Sequence, residues 1–173
     1  MKKLIVIALA VIMALSLVLV LAACGGETVE GEYSYVSAYN EAQKYGCKVK
    51  VTVKGGVITA ISVEKDSENF FNLSSGWEDK AIWEKDGQAM IDSFVGRTVE
   101  EINAIKVATQ AETKWVGTDE NDATKGYYAS VKGQPEAKGI TGAPAELKVV
   151  AGATQSSGRL ILAVQDALSK LAK

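Results

Sequence analysis

Between Cys47 and Glu64 the chain alternates. Val49, Val51 and Val53 are separated by Lys48, Lys50, Thr52 and Lys54, then Gly55-Gly56 intervenes, and Val57, Thr59, Ile61 and Val63 take up the alternation beyond it. A period of two marks a strand with one buried face, and paired glycines supply the positive φ angles of a tight turn. The stretch therefore predicts a β-hairpin. Farther on the period lengthens to that of a helix. Residues from about Glu78 to Phe94 place Trp83, Met90, Ile91 and Phe94 on one face, with Ser74, Ser75 or Gly76 able to start the helix and Gly96 able to end it. Gly87 in the middle works against it. Thr98-Val99-Glu100-Glu101 has the form of a capping box, so a short helix should run into Ile102 and Ile105, after which residues 105–109 can return to the sheet. Gln110 to Leu147 scatters Trp115, Tyr127, Tyr128 and Val131 among glycine, acidic residues and both prolines, a pattern for one or two short strands on long loops. The last periodic run carries Ile161, Val164, Leu168 and Leu171 at i, i+3, i+7 and i+10, a stripe suited to covering one face of a sheet. Together these elements predict an α+β domain, an antiparallel sheet with a β-hairpin packed against a central helix and a C-terminal helix.

The first residues obey a different rule. Met1-Lys2-Lys3 precedes an apolar run from Leu4 to Ala23 broken only by Ser16, and the run ends Leu21-Ala22-Ala23-Cys24-Gly25-Gly26. Charge, an apolar stretch and small residues at a cut site are the order of a secretory signal. Leu-Ala-Ala-Cys also resembles the lipobox of a bacterial lipoprotein. That resemblance implies a signal peptide over 1–23, a lipidated tether over 24–32 beginning at a diacylated Cys24, and a folded domain over 33–173 held on the extracytoplasmic face of a cell membrane. An uncleaved transmembrane anchor is the alternative, since the run is long enough to span a bilayer.

Charge and composition then remove several classes of function. The chain has 19 basic and 21 acidic residues, and loss of Lys2 and Lys3 with a signal peptide takes the net charge from −2 to −4. A mildly acidic domain has no electrostatic pull on nucleic acid. With Cys24 assigned to lipid, Cys47 has no second cysteine to pair with, and its place in a strand suits a buried small hydrophobe. There is no histidine, which excludes His-assisted nucleophiles and imidazole metal ligands. The cluster Asp119-Glu120-Asn121-Asp122 lacks the glycine and closing glutamate of a calcium loop and reads as a solvated turn. No Gly-x-Ser-x-Gly elbow, phosphate-binding loop or Cys-x-x-Cys pair occurs, so the chain carries no sign of an enzyme with its own substrate.

Candidate chemistry concentrates in VVAGATQSSGRLILAVQDAL, Val149 to Leu168. Val149 and Val150 read as a strand end, Ala151-Gly152-Ala153 as a close-approach turn, and Thr154 to Ser157 as the start of a helix. One reading is that a hydroxyl residue caps the helix. The other uses the amides near Gln155 to Arg159, which lack intrahelical acceptors at the positive end of the helix dipole and can hold a phosphate. Arg159 opposes that dipole unless an anion is close by or its charge is solvated.

This segment resembles the C-terminal signature of FMN-binding domains, known from the flavin subunits of the sodium-pumping NADH:quinone reductase and the Rnf complex and from flavinylated lipoproteins. The Gly-Gly hairpin and the helix start Trp77-Glu78-Asp79-Lys80 are similar to the lipoprotein members. The resemblance implies a flavin transferase that joins FMN through a phosphoester to Thr154, preceded by the matching Gly152 and Ala153. Lys148 stands where the family carries Asp, and Ala151 where it carries Ser or Thr. The implied cofactor site comprises Thr154, Gly152, Ala153, Gln155, Ser156, Ser157, Arg159 and Trp77. Trp77, Tyr128 and Trp115 are candidates to stack on the flavin ring or to fill the core. The implied function is a membrane-anchored electron carrier with redox partners outside the cytoplasm and no nucleic-acid partner. Two alternatives remain: reversible binding of FMN or another phosphorylated ligand, and a cofactor-free surface module.

Overall fold

The computed structural model describes residues 25–36, 44–64, 78–119 and 125–171. Strands β1 (Glu27–Val36), β2 (Lys44–Lys54) and β3 (Val57–Val63) form an antiparallel sheet in the order β1-β2-β3. The hairpin expected at Gly55-Gly56 is β2–β3, with both glycines at positive φ, 57° and 77°. Val49, Val51 and Val53 are buried as the alternation requires. On β3 the buried residue is Ile58, while Val57, Ile61 and Val63 are half-buried and Thr59 is exposed. The cause is a bulge: Val53 pairs with Ile58 and Thr52 with Ala60, which leaves Thr59 over and turns Ile58 inward. The loop after the first helix holds Ile58 there, since Ile58 N donates to Arg97 O at 2.9 Å and Gly96 N to Ile58 O at 2.8 Å.

β1 begins at Glu27, so Glu27 to Glu32 belong to the sheet and the folded domain starts ahead of the boundary expected at Tyr33. Charged residues hide this strand from a hydropathy reading, because only Val29 and Gly31 of its first half face inward.

Helix α1 (Glu78–Ser93) buries Trp83, Met90 and Ile91, and Phe94 is buried in the turn just after it. Gly87 has a packing role here: an added Cβ would stand 2.6 Å from the Trp83 ring, which lies across it. Helix α2 (Val99–Asn103) follows the capping box at Thr98 and buries Ile102. β4 (Lys106–Thr109) pairs with β7 (Pro135–Thr141), and between them β5 (Lys114–Gly117) pairs with β6 (Gly126–Ser130). The region expected to hold one or two short strands thus holds three. Its pairings are set by residues far apart in sequence, such as Thr109 with Pro135. No cis peptide is present among the described residues.

The C-terminal helix α3 (Thr154–Leu168) is the centre of the fold. It packs on β1 and β2 on one side and on β4 and β7 on the other. Ile161, Val164 and Leu168 are buried, and so are Leu160, Ala163 and Ala167 on the remaining sides, so the helix is enclosed between layers where the stripe alone predicted one covered face. Two glycines permit the enclosure. A Cβ on Gly31 would overlap the Ala163 carbonyl and the Ala167 amide, and one on Gly158 would stand 2.7 Å from Pro135 Cβ. Gln165 Nε2 donates to Ile102 O at 2.9 Å and Ile105 O at 2.8 Å, tying α2 to the same helix.

α3 runs antiparallel to β1. The Glu32 amide donates to Asp166 Oδ2 at 2.9 Å, and Lys170 Nζ donates to Glu30 O at 3.0 Å and to Asp166 Oδ2 at 2.8 Å. Burial works to raise the Asp166 carboxyl, and the bonds from Lys170 and the Glu32 amide outweigh it and hold the group below its ordinary value. The molecule therefore has two distinct ends. Gly25, Gly26, the Gly55-Gly56 turn, Val99 and Leu171 meet at one. Val36 at the end of β1, Lys44 at the start of β2 and Thr154 at the start of α3 lie toward the other.

Candidate functional site

The segment from Leu147 to Arg159 is built on α1. The Lys148 amide donates to Ser93 Oγ at 3.0 Å near the helix end, and Gly152 lies beside Ile82 near its start, where an added Cβ would come 2.9 Å from Ile82 Cδ1. Gly152 has φ +82°, a left-handed conformation that turns the chain from this loop into α3. Val149 and Val150 precede the turn as loop and not as the expected strand end; Val149 N bonds to Leu147 O at 2.9 Å and Ala153 N to Val150 O at 3.2 Å.

The residue at the N-cap of α3 is Ala153, which makes no side-chain cap bond. The amides of Thr154, Gln155 and Ser156 precede the first intrahelical donor, Ser157 N, which bonds to Ala153 O at 2.9 Å. No acidic residue stands in that turn. The hydroxyl residues grouped by the sequence separate by depth. Ser157 Oγ is buried, donates to Ala153 O at 3.0 Å and accepts from Val150 N at 3.2 Å, fastening the loop to the helix. Ser156 Oγ is buried and accepts from Arg159 Nη2 at 2.9 Å. Thr154 and Gln155 are half-buried and reach the surface, and among the described residues the Thr154 hydroxyl makes no hydrogen bond.

Arg159 points inward: the residue is 1% exposed and its guanidinium lies in the core rather than in solvent. Its charge acts on Cys47. Burial pushes the Cys47 thiol up to about 12 from an ordinary 9.0, and the nearby Arg159 charge opposes the rise. Cys47 is fully buried, as its place in the alternation suggested, and inert.

Two of the three aromatic candidates fall among the described residues. Trp115 and Tyr128 form a T-shaped pair on β5–β6 with ring centroids 4.8 Å apart, and Trp115 lies over the facing glycines Gly117 and Gly126. Trp77 and Cys24 lie outside the described residues, as do Glu120 to Thr124. Asp119 of the acidic turn pairs with Lys125 at 3.3 Å. Lys148 and Ala151, the two departures from the flavin motif, are exposed. Sequence reasoning missed Ile82 against Gly152. Its signal was present, since a glycine two places before a helix invites the question of what approaches it.

Comparison with known proteins returned no matching family model, no matching curated protein and no matching solved structure.

Proposed function

We propose that the protein is a membrane-anchored extracytoplasmic flavoprotein that carries FMN on Thr154 and shuttles electrons. The observation that carries this reading is the open start of α3: a surface-reachable Thr154 hydroxyl with no internal bond, at a helix start whose N-cap, Ala153, offers no side chain to the Thr154 and Gln155 amides. A flavin phosphate esterified at Thr154 Oγ1 would place its anionic oxygens where those amides point. The residues present fit such a group. The Gly152 turn, packed on one side against Ile82, leaves its backbone exposed, and Ser157 fixes the loop that presents it. Exposed Lys148 supplies a cation in the same loop, in place of the motif's acid.

When bound, FMN supplies one- and two-electron redox chemistry. The chain's own residues supply position. Ala153 caps the helix without a side chain over the Thr154 and Gln155 amides, Gly152 turns the chain into α3, and Thr154 Oγ1 would be the ester oxygen that holds the flavin phosphate.

Intact-protein mass spectrometry after denaturation tests the proposal on the domain from Gly25 onward, made with and without a flavin transferase. The expected result is a gain of FMN less one water that disappears in Thr154→Ala. Flavin that co-purifies but leaves on denaturation would replace this reading with reversible binding. A folded domain that neither gains mass nor quenches added FMN would assign a cofactor-free module.

A further inference from the structure

The spacing between the apolar run and the first strand sets how the domain stands on its membrane. The run ends at Ala23 and Cys24, and β1 begins at Glu27. Gly26 is already packed: an added Cβ would lie 2.7 Å from Val53 O and 2.9 Å from Thr52 Cγ2. Gly25 is thus the single residue between Cys24 and packed structure, and one residue spans at most about 3.6 Å. Whether lipid on Cys24 or the uncleaved run holds the chain, the distance is the same.

Gly25 and Gly26 share their end of the molecule with the β2–β3 turn, Val99 and Leu171, which with Glu27, Val53 and Lys54 line a hollow of about 400 Å³. Lys54 is exposed there and offers a cation to anionic headgroups. The other end is far away. β1 spans ten residues from Glu27 to Val36, about 30 Å at strand rise. α3 runs back along it, and its fifteen residues place Thr154 roughly 21 Å beyond Leu168.

We infer that the domain sits directly on the lipid surface through the end formed by Gly25, Gly26, Lys54 to Gly56 and Leu171, and holds the Thr154 site at the end that faces water. The inference rests on the reading of the protein as membrane-anchored. It names the side from which a partner comes: a water-soluble or surface-exposed redox protein or mediator reaches Thr154, and a carrier dissolved in the bilayer does not.

With Cys47 fully buried and Cys24 either lipidated or replaced by Ser, an introduced cysteine is labelled alone. Full-length Lys54→Cys and Val36→Cys, produced in a lipoprotein-exporting bacterium, would each be tagged with a fluorophore. They would then be reconstituted in phosphatidylcholine/phosphatidylglycerol vesicles with nitroxide-headgroup lipid. Severalfold stronger quenching at position 54 than at 36 is expected. Equal or reversed quenching in protein that floats with the vesicles would overturn the orientation while leaving the anchor intact. Failure to float would overturn both. Cys24→Ser separates lipid from an uncleaved span, and the same quenching contrast is expected in any Cys24→Ser protein that still floats.

Discussion

The molecule contains two helix starts of opposite character. At α2, Thr98 Oγ1 accepts from Glu101 N at 3.1 Å and Glu101 Oε2 accepts from Thr98 N at 2.7 Å, with Glu100 and Glu101 complementing the positive end of the helix dipole. At α3 the cap is an alanine, acids are absent, and the hydroxyls that could have closed the turn are directed elsewhere. A threonine stands at each start and only one bonds to its helix. The closed start is held by its own side chains, whereas the open one has no side-chain cap bond.

The largest test of this contrast concerns what lies beneath the open start, where Arg159 and Cys47 share the core. The unfolded chain loses the thiol proton near 9.0 and the folded protein keeps it to about 12, so the native state holds the extra proton in between. Stability should be nearly unaffected by this group below pH 9 and fall as pH rises through that window, by about 3 kcal/mol between pH 9 and 12. Urea midpoints across that range should fall more steeply for the wild type than for Cys47→Ala. Parallel curves would show that the thiol is not shielded.

Next in size is the turn that leads into the open start. Gly152→Val forces a β-branched residue to φ near +82° beside Ile82 and should cost about 2–3 kcal/mol in urea unfolding. A cost near zero would mean that the turn relaxes freely and does not fix Thr154.

The sharpest comparison is a single substitution made twice. Thr98→Ala removes a cap and should cost about 1 kcal/mol. Thr154→Ala removes no internal bond and should change stability by less than about 0.5 kcal/mol while abolishing attachment of flavin. Equal thermal shifts in the two variants would erase the distinction between closed and open starts.

Legibility in the sequence follows the range of the forces involved. The β2–β3 hairpin, the Thr98 box and the Trp83–Phe94 face rest on neighbours within a few residues, and each stands where periodicity placed it. Thr59 slipping out of register does not follow from alternation, because Arg97 and Gly96, some forty residues on, hold Ile58 inward. β1 was half hidden because its close contact with α3 uses Gly31, which has no hydropathy to read. At the candidate site, the Gly152 turn and the helix start at Thr154 were legible from local chemistry. The inward course of Ser156, Ser157 and Arg159 was not, since it depends on layers packed against both sides of α3.

One feature of β1 bears on crowding. As the outer strand of its sheet it would present a row of unpaired peptide groups, the template on which neighbouring copies can zip together. Asp166 and Lys170 take the Glu32 amide and the Glu30 carbonyl from that row. A neighbouring copy thus meets an edge whose middle is already engaged by the chain's own Asp166 and Lys170.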